Sequence, residues 1–236
     1  MAPLKDIRVT DDADNHVDLS GYIITIRVGQ GAEQKTFLVH STVICPRARF
    51  FEKAMNGSWK EAEDKVVELK EDDPITFQRY QSLIYAGSAA FPDPEKDQSR
   101  VGYAVLNLQK ALVRIYILAD KLQDTKSKAL VTETLLAVRR KSWKMVDGTS
   151  EDYAFSSSLI RIIYDDTPDS CPLRRMVVDD YAEVASGNWL ARREHFPPEF
   201  IYDLAVRTLD RRTKAGGETV VNCDASKYLE KEPETV

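Results

Sequence analysis

The sequence predicts an α+β fold in which a short three-stranded sheet with a helical cluster is followed by a small all-helical C-terminal extension. Three observations predict it. Strict apolar–polar alternation covers residues 22–28, two further strand-like runs lie within the next 41 residues, and helical apolar spacing dominates from residue 74 onward. The 236 residues are 43% hydrophobic and 30% charged, enough apolar content for one sizeable core or two small ones.

Residues 1–19 are acidic and aperiodic and read as a mobile leader. In "YIITIRV" (22–28), Tyr22, Ile24, Ile26 and Val28 share one face of a strand, and Ile23, Thr25 and Arg27 share the other. "KTFLV" (35–39) supplies a second strand, and the intervening "GQGAEQ" makes the pair a hairpin. Gly29 and Gly31 invite a dinucleotide-loop reading, but the third glycine of that motif is Gln34, and a β-branched aromatic run follows in place of a helix.

Two short helices come next. Ser41 or Thr42 caps the first, which Pro46 interrupts; Phe50, Phe51 and Met55 define a face of the second, and Gly57 ends it in a left-handed cap. "KVVEL" (65–69) is the third strand. Asp73 and Pro74 then open a helix whose stripe of Phe77, Tyr80 and Ile84 stops at Gly87. Residues 88–107 read as a polar surface excursion, 111–123 as a central helix, and 128–140 as a helix with Val131, Thr134, Leu135 and Val138 inward.

The extension spans 150–214. Its helices carry Phe155, Leu159, Ile162 and Ile163, then Leu173, Met176, Val177 and Val184, then Ile201, Leu204, Ala205 and Thr208. Residues 215–236 read as a loose tail.

Composition and spacing exclude several chemistries. The net charge of −5 argues against a broad nucleic-acid footprint. No apolar run such as "LVRIYILA" (112–119) reaches the ~20 residues of a membrane span, and the first residues do not resemble a signal peptide. Cys45, Cys171 and Cys223 are far apart with no histidine at ligand spacing, and read as reduced thiols of the cytosol or nucleus. His16, His40 and His195 have no nucleophile or metal-ligand partner in sequence. "RRKSWK" (139–144) reads as a cationic helix end, and Asp165, Asp166 and Asp169 read as a linker. No cofactor, metal or catalytic group is expected.

The series "TIRVG", "KTFLVHSTVIC", "RFFEKAMNGSWKEA", "VVEL", "PITFQRYQSLIYAG" and "LADKLQ" resembles the BTB/POZ domain, of the kind abundant in filamentous fungi, over residues 20–140. Gly21 and Tyr22 depart from it, standing where the family often has Asp-Val. The resemblance implies a non-enzymatic protein–protein interaction module, cytoplasmic or nuclear. It further implies a candidate partner-binding pair, Trp59 and Glu61, since "WKE" matches the hydrophobic-x-Glu pattern with which BTB adaptors of ubiquitin ligases meet a cullin-family scaffold. The alternative is a BTB scaffold or a transcription-associated oligomerisation protein. The apolar-poor leader points to a monomer or weak homodimer.

Overall fold

β1 (Ile23–Val28) is the central strand of a three-stranded sheet ordered β2-β1-β3. The computed structural model describes residues 17–57, 60–96, 98–145, 147–213 and 228–229. β2 (Lys35–His40) pairs antiparallel with β1, Ile24 opposite Val39 and Ile26 opposite Phe37; β3 (Val66–Leu69) pairs with it in parallel, Ile26 opposite Val67. The alternation is realised from Ile23 to Val28, but not at Tyr22. Ile24, Ile26 and Val28 are fully buried, whereas Ile23 and Arg27 are exposed and Tyr22 stands outside the strand, half-exposed.

The hairpin bend uses left-handed backbone at Gly29 (φ 83°) and Gly31 (φ 59°), which an L side chain rarely adopts. The edge at β2 is not bare. Gln81 donates to the Leu38 carbonyl at 3.0 Å, and the Tyr85 hydroxyl accepts from the His40 amide at 2.9 Å, occupying groups that another strand would otherwise pair.

α1 (Ser41–Ile44) and α2 (Arg49–Asn56) follow. The expected caps are corrected here. His40 is the residue before α1, with Ser41 already helical, and Gly57 is extended (φ −84°, ψ 172°), because the chain runs out toward a third short helix and not into a turn. That helix, α3 (Lys60–Asp64), ends at Lys65 in left-handed conformation (φ 57°) before β3.

α4 (Pro74–Ala86) is as read from sequence. The Asp73 carboxylate accepts from the Thr76 amide at 2.8 Å, and Gly87 (φ 66°) closes the last turn through its amide and the Leu83 carbonyl. Phe77, Tyr80 and Ile84 are buried beneath the sheet residues, with Phe37 and Phe77 ring centroids 4.9 Å apart. Each such aromatic contributes about 2–3 kcal/mol by burial.

The chain divides into two compact units, Met1–Ala90 and Phe91–Val236. The sequence reading instead placed the boundary between 140 and 150. The difference arises at α5 (Val101–Lys121), which packs on α6 (Thr125–Arg140) and on α7 (Ser157–Asp166) and so groups with the later helices. α5 also begins ten residues before the expected central helix, within the segment read as a surface excursion, and its Val101 and Val105 are fully buried. By length and composition α5 could cross a bilayer, yet nine of its residues are buried in the unit, among them Gln109.

Asp124, fully buried, caps α6 by accepting from the Ser127 amide at 2.8 Å. α6 turns Thr132 and Leu136 inward beside Val131 and Leu135, leaving Thr134 exposed with its hydroxyl on the Leu130 carbonyl. A two-strand ribbon, β4 (Trp143–Lys144) with β5 (Ser150–Glu151), buries Trp143 against Val101 and Val105.

α8 (Pro172–Val184) and α9 (Pro198–Thr213) complete the second unit around Tyr164, Tyr181, Phe196 and Phe200, whose rings meet edge-on or stacked at 5.2–5.8 Å. The expected stripe of α9 is met in part, with Leu204 buried and Ile201 half-buried. Phe200 and Leu204 are the buried residues, while Ala205 and Thr208 face solvent. Val184, expected inward, is exposed. Of the tail read as loose, Tyr228 and Leu229 are described. Tyr228 is buried and donates to Asp179 Oδ2 at 3.0 Å, so an aromatic anchor overrides the polar composition around it.

Candidate partner-binding site

The segment joining α2 to β3 carries the pair singled out in the sequence. Trp59 lies outside the described residues. Glu61 sits in the first turn of α3, exposed, where a carboxylate is favoured by the unpaired amides of a helix start. The sequence reading took "WKE" as loop; Glu61 instead lies in a short helix that packs against α2 and β3.

The ground behind this segment is polar and aromatic. Lys65 Nζ lies 4.4 Å over the Tyr22 ring, a cation–π contact at the start of the sheet. Burial is the main cause raising the pKa of the Cys45 thiol, with Glu52 adding to it and Lys65 opposing; Tyr22 is raised by burial first and then by Cys45. The thiol is therefore held protonated and poorly nucleophilic. A Cβ at Gly21 would come within 2.5 Å of Ser41 Oγ and 2.9 Å of the Thr42 amide, so glycine is required where the chain enters β1 against α1.

His40 has a structural partner. Its amide donates to the Tyr85 hydroxyl, which also lies within hydrogen-bond distance of Nδ1 at 2.8 Å. The two contacts tie the end of β2 to α4.

The remaining singled-out residues are not brought together. His195 is exposed in a 3₁₀ turn of the second unit, Asp165 and Asp166 end α7, and Arg139 donates to Asp180 at 2.7 Å. His16 and Cys223 lie outside the described residues, and no group of three metal-ligating side chains occurs among the described ones.

Sequence reasoning missed Arg174. Its guanidinium is buried 4.5 Å over the Tyr164 ring and donates to the Tyr164 and Thr167 carbonyls, to Thr167 Oγ1 and to Asp169. It satisfies the orphan carbonyls at the end of α7. An arginine at an otherwise apolar position of α8, just after "DDTPDS", was the available signal.

Comparison with protein-family models and with curated proteins finds no match to this chain.

Proposed function

We propose that this chain is a BTB/POZ-type protein–protein interaction module, without catalysis of its own, that recruits a substrate protein to a cullin-type ubiquitin ligase. The observation that carries the proposal is the crossover between β1's two partners. A β1–β2 hairpin is followed by short helices, then a parallel third strand, and the last short helix carries Glu61, exposed, from the hydrophobic-x-Glu motif. A carboxylate so placed is available to a partner, and a tryptophan two residues earlier is the side chain most often found as an interface anchor.

The test is calorimetric titration of a cullin scaffold against the full chain and its Trp59→Ala and Glu61→Ala variants. Trp59→Ala is expected to weaken binding by about 2 kcal/mol, roughly thirtyfold, with stability changed by less than about 1 kcal/mol. Glu61→Ala weakens binding with the melting temperature unchanged. A cavity-like loss of about 3–5 kcal/mol of stability in Trp59→Ala, or no binding by the parent chain, overturns the adaptor reading.

One observation favours the alternative of a scaffold that self-associates. Ile23 and Leu38, on the sheet face away from the core, are exposed together. Sedimentation of the parent chain and of Leu38→Lys separates the two readings. A dimer that the substitution dissociates supports the scaffold.

A further inference from the structure

α9 places Tyr202, Val206 and Leu209 at i, i+4 and i+7, 69%, 40% and 58% exposed, so a second apolar stripe runs along the helix away from Phe200 and Leu204. Beside it, between α8 and α9, lies a groove of about 480 Å³ whose apolar wall is Val178, Tyr202, Val206 and Tyr228. The helices are held side by side along this groove by Arg207 Nε on Asp179 at 2.5 Å, and beyond it by Arg211 with Glu183 at 3.8 Å, so the groove stands between fixed walls.

The charges lining it are unequal in what they offer. Asp169 accepts from Arg174, Asp179 from Arg207 and Tyr228, and Asp203 from the Tyr164 hydroxyl at 2.7 Å; Asp210 is also engaged. Arg174 and Arg207 are committed to the partners just named. Arg175, exposed on α8, is the one charged group of the lining with no partner among the described residues. What is left unsatisfied is thus Tyr202 and Val206 in the groove lining, with Leu209 continuing their stripe along α9 beyond it, and a single cation.

We propose that this groove and the exposed face of α9 that continues from it dock an amphipathic helical segment of a partner protein, its apolar side chains on Tyr202 and Val206 in the groove and on Leu209 beyond it, and an acidic residue on Arg175. Three side chains expose too little area for a second copy of the chain, since a stable interface buries on the order of 1,000 Å² or more, but they suit the i, i+4, i+7 anchors of a short helix. The inference goes beyond the ligase reading and does not depend on it.

The probe is a phage-displayed library of short peptides selected on the full chain, with enriched peptides then synthesised and titrated. The expected result is enrichment of sequences with apolar residues at helical spacing and an Asp or Glu beside them. Leu209→Arg should weaken the selected peptides about tenfold or more with the chain's melting temperature unchanged. Arg175→Glu should weaken them similarly and accept the same peptides with the acid changed to Lys. No enrichment, or enriched peptides indifferent to both substitutions, overturns the proposal. So does a dimer that Leu209→Arg dissociates, which would make a second copy the occupant, or a fall in melting temperature for Leu209→Arg alone, which would mean that the chain itself covers the stripe.

Discussion

Replacing Arg174 with methionine tests whether the end of α7 is held by one buried cation. The methionine keeps most of the aliphatic stem and removes the guanidinium, which has only 9% of its side chain exposed. The contact with Asp169 counts for little, because that carboxylate is 99% exposed and a solvated pair is worth under about 1 kcal/mol. The cost comes from the Tyr164 and Thr167 carbonyls, which lose their donor inside the unit; each unsatisfied acceptor costs about 1–3 kcal/mol, and the lost stacking on Tyr164 adds about 1 kcal/mol. Part is returned because a desolvated charge disappears, leaving a net loss of about 3 kcal/mol. Urea unfolding followed by tryptophan fluorescence measures it, with Asp169→Asn as a control changing stability by less than about 0.5 kcal/mol. A loss below about 1 kcal/mol in Arg174→Met would refute the assignment of Arg174 as the cap of α7.

Two further substitutions follow from the second unit. At Gly102 a Cβ would lie 2.8 Å from the Tyr153 ring, whose carbonyl accepts from Gln109, so Gly102→Ala should lower stability by about 1–2 kcal/mol although alanine is the better helix former; a thermal melt showing stabilisation would contradict this. Asp180 is raised above its ordinary 3.8 by burial, which outweighs the opposing Arg139. A carboxyl raised in the folded state contributes stability that is present below pH 3.8 and lost as pH rises through the folded value. Arg139→Met removes the opposing cation, so its destabilisation should be about 2–3 kcal/mol near pH 7 and clearly smaller near pH 4.5, as read from urea titrations at the two pH values. A penalty independent of pH would show that the lost interaction is not with the Asp180 charge.

How much was legible in advance depended on whether local chemistry and burial agreed. β1 alternates without interruption, and Asp73-Pro74 with Gly87 brackets α4, so those elements were read closely. The start of α5 was missed because "VGYAVLNLQK" mixes glycine and polar residues; there Gly102 serves the Tyr153 ring and Gln109 is buried by its bond to the Tyr153 carbonyl, neither visible from periodicity. The phase of α9 was misread because the side toward α8 is partly arginine. Arg207 and Arg211 bring long aliphatic stems and paired charges to α8, so counting apolar residues kept Leu204 but turned the stripe about one position too far, onto Ala205 and Thr208. At the candidate site the sequence marked Trp59 and Glu61 but not the helix that carries Glu61, since five residues hold too little pattern to announce a helix.

The parallel pairing of β1 with β3 has a consequence for the order in which the first unit assembles. β1 and β2 are joined by a short bend and can zip together as soon as both have left the ribosome. β3 instead must close a loop of nearly forty residues before its first rung forms, which is the slower event. The segment holding Trp59 and Glu61 is the last part of that loop. Until β3 docks, that loop is closed at one end only, so the exposed setting that α3 gives Glu61 is completed after the hairpin and not with it.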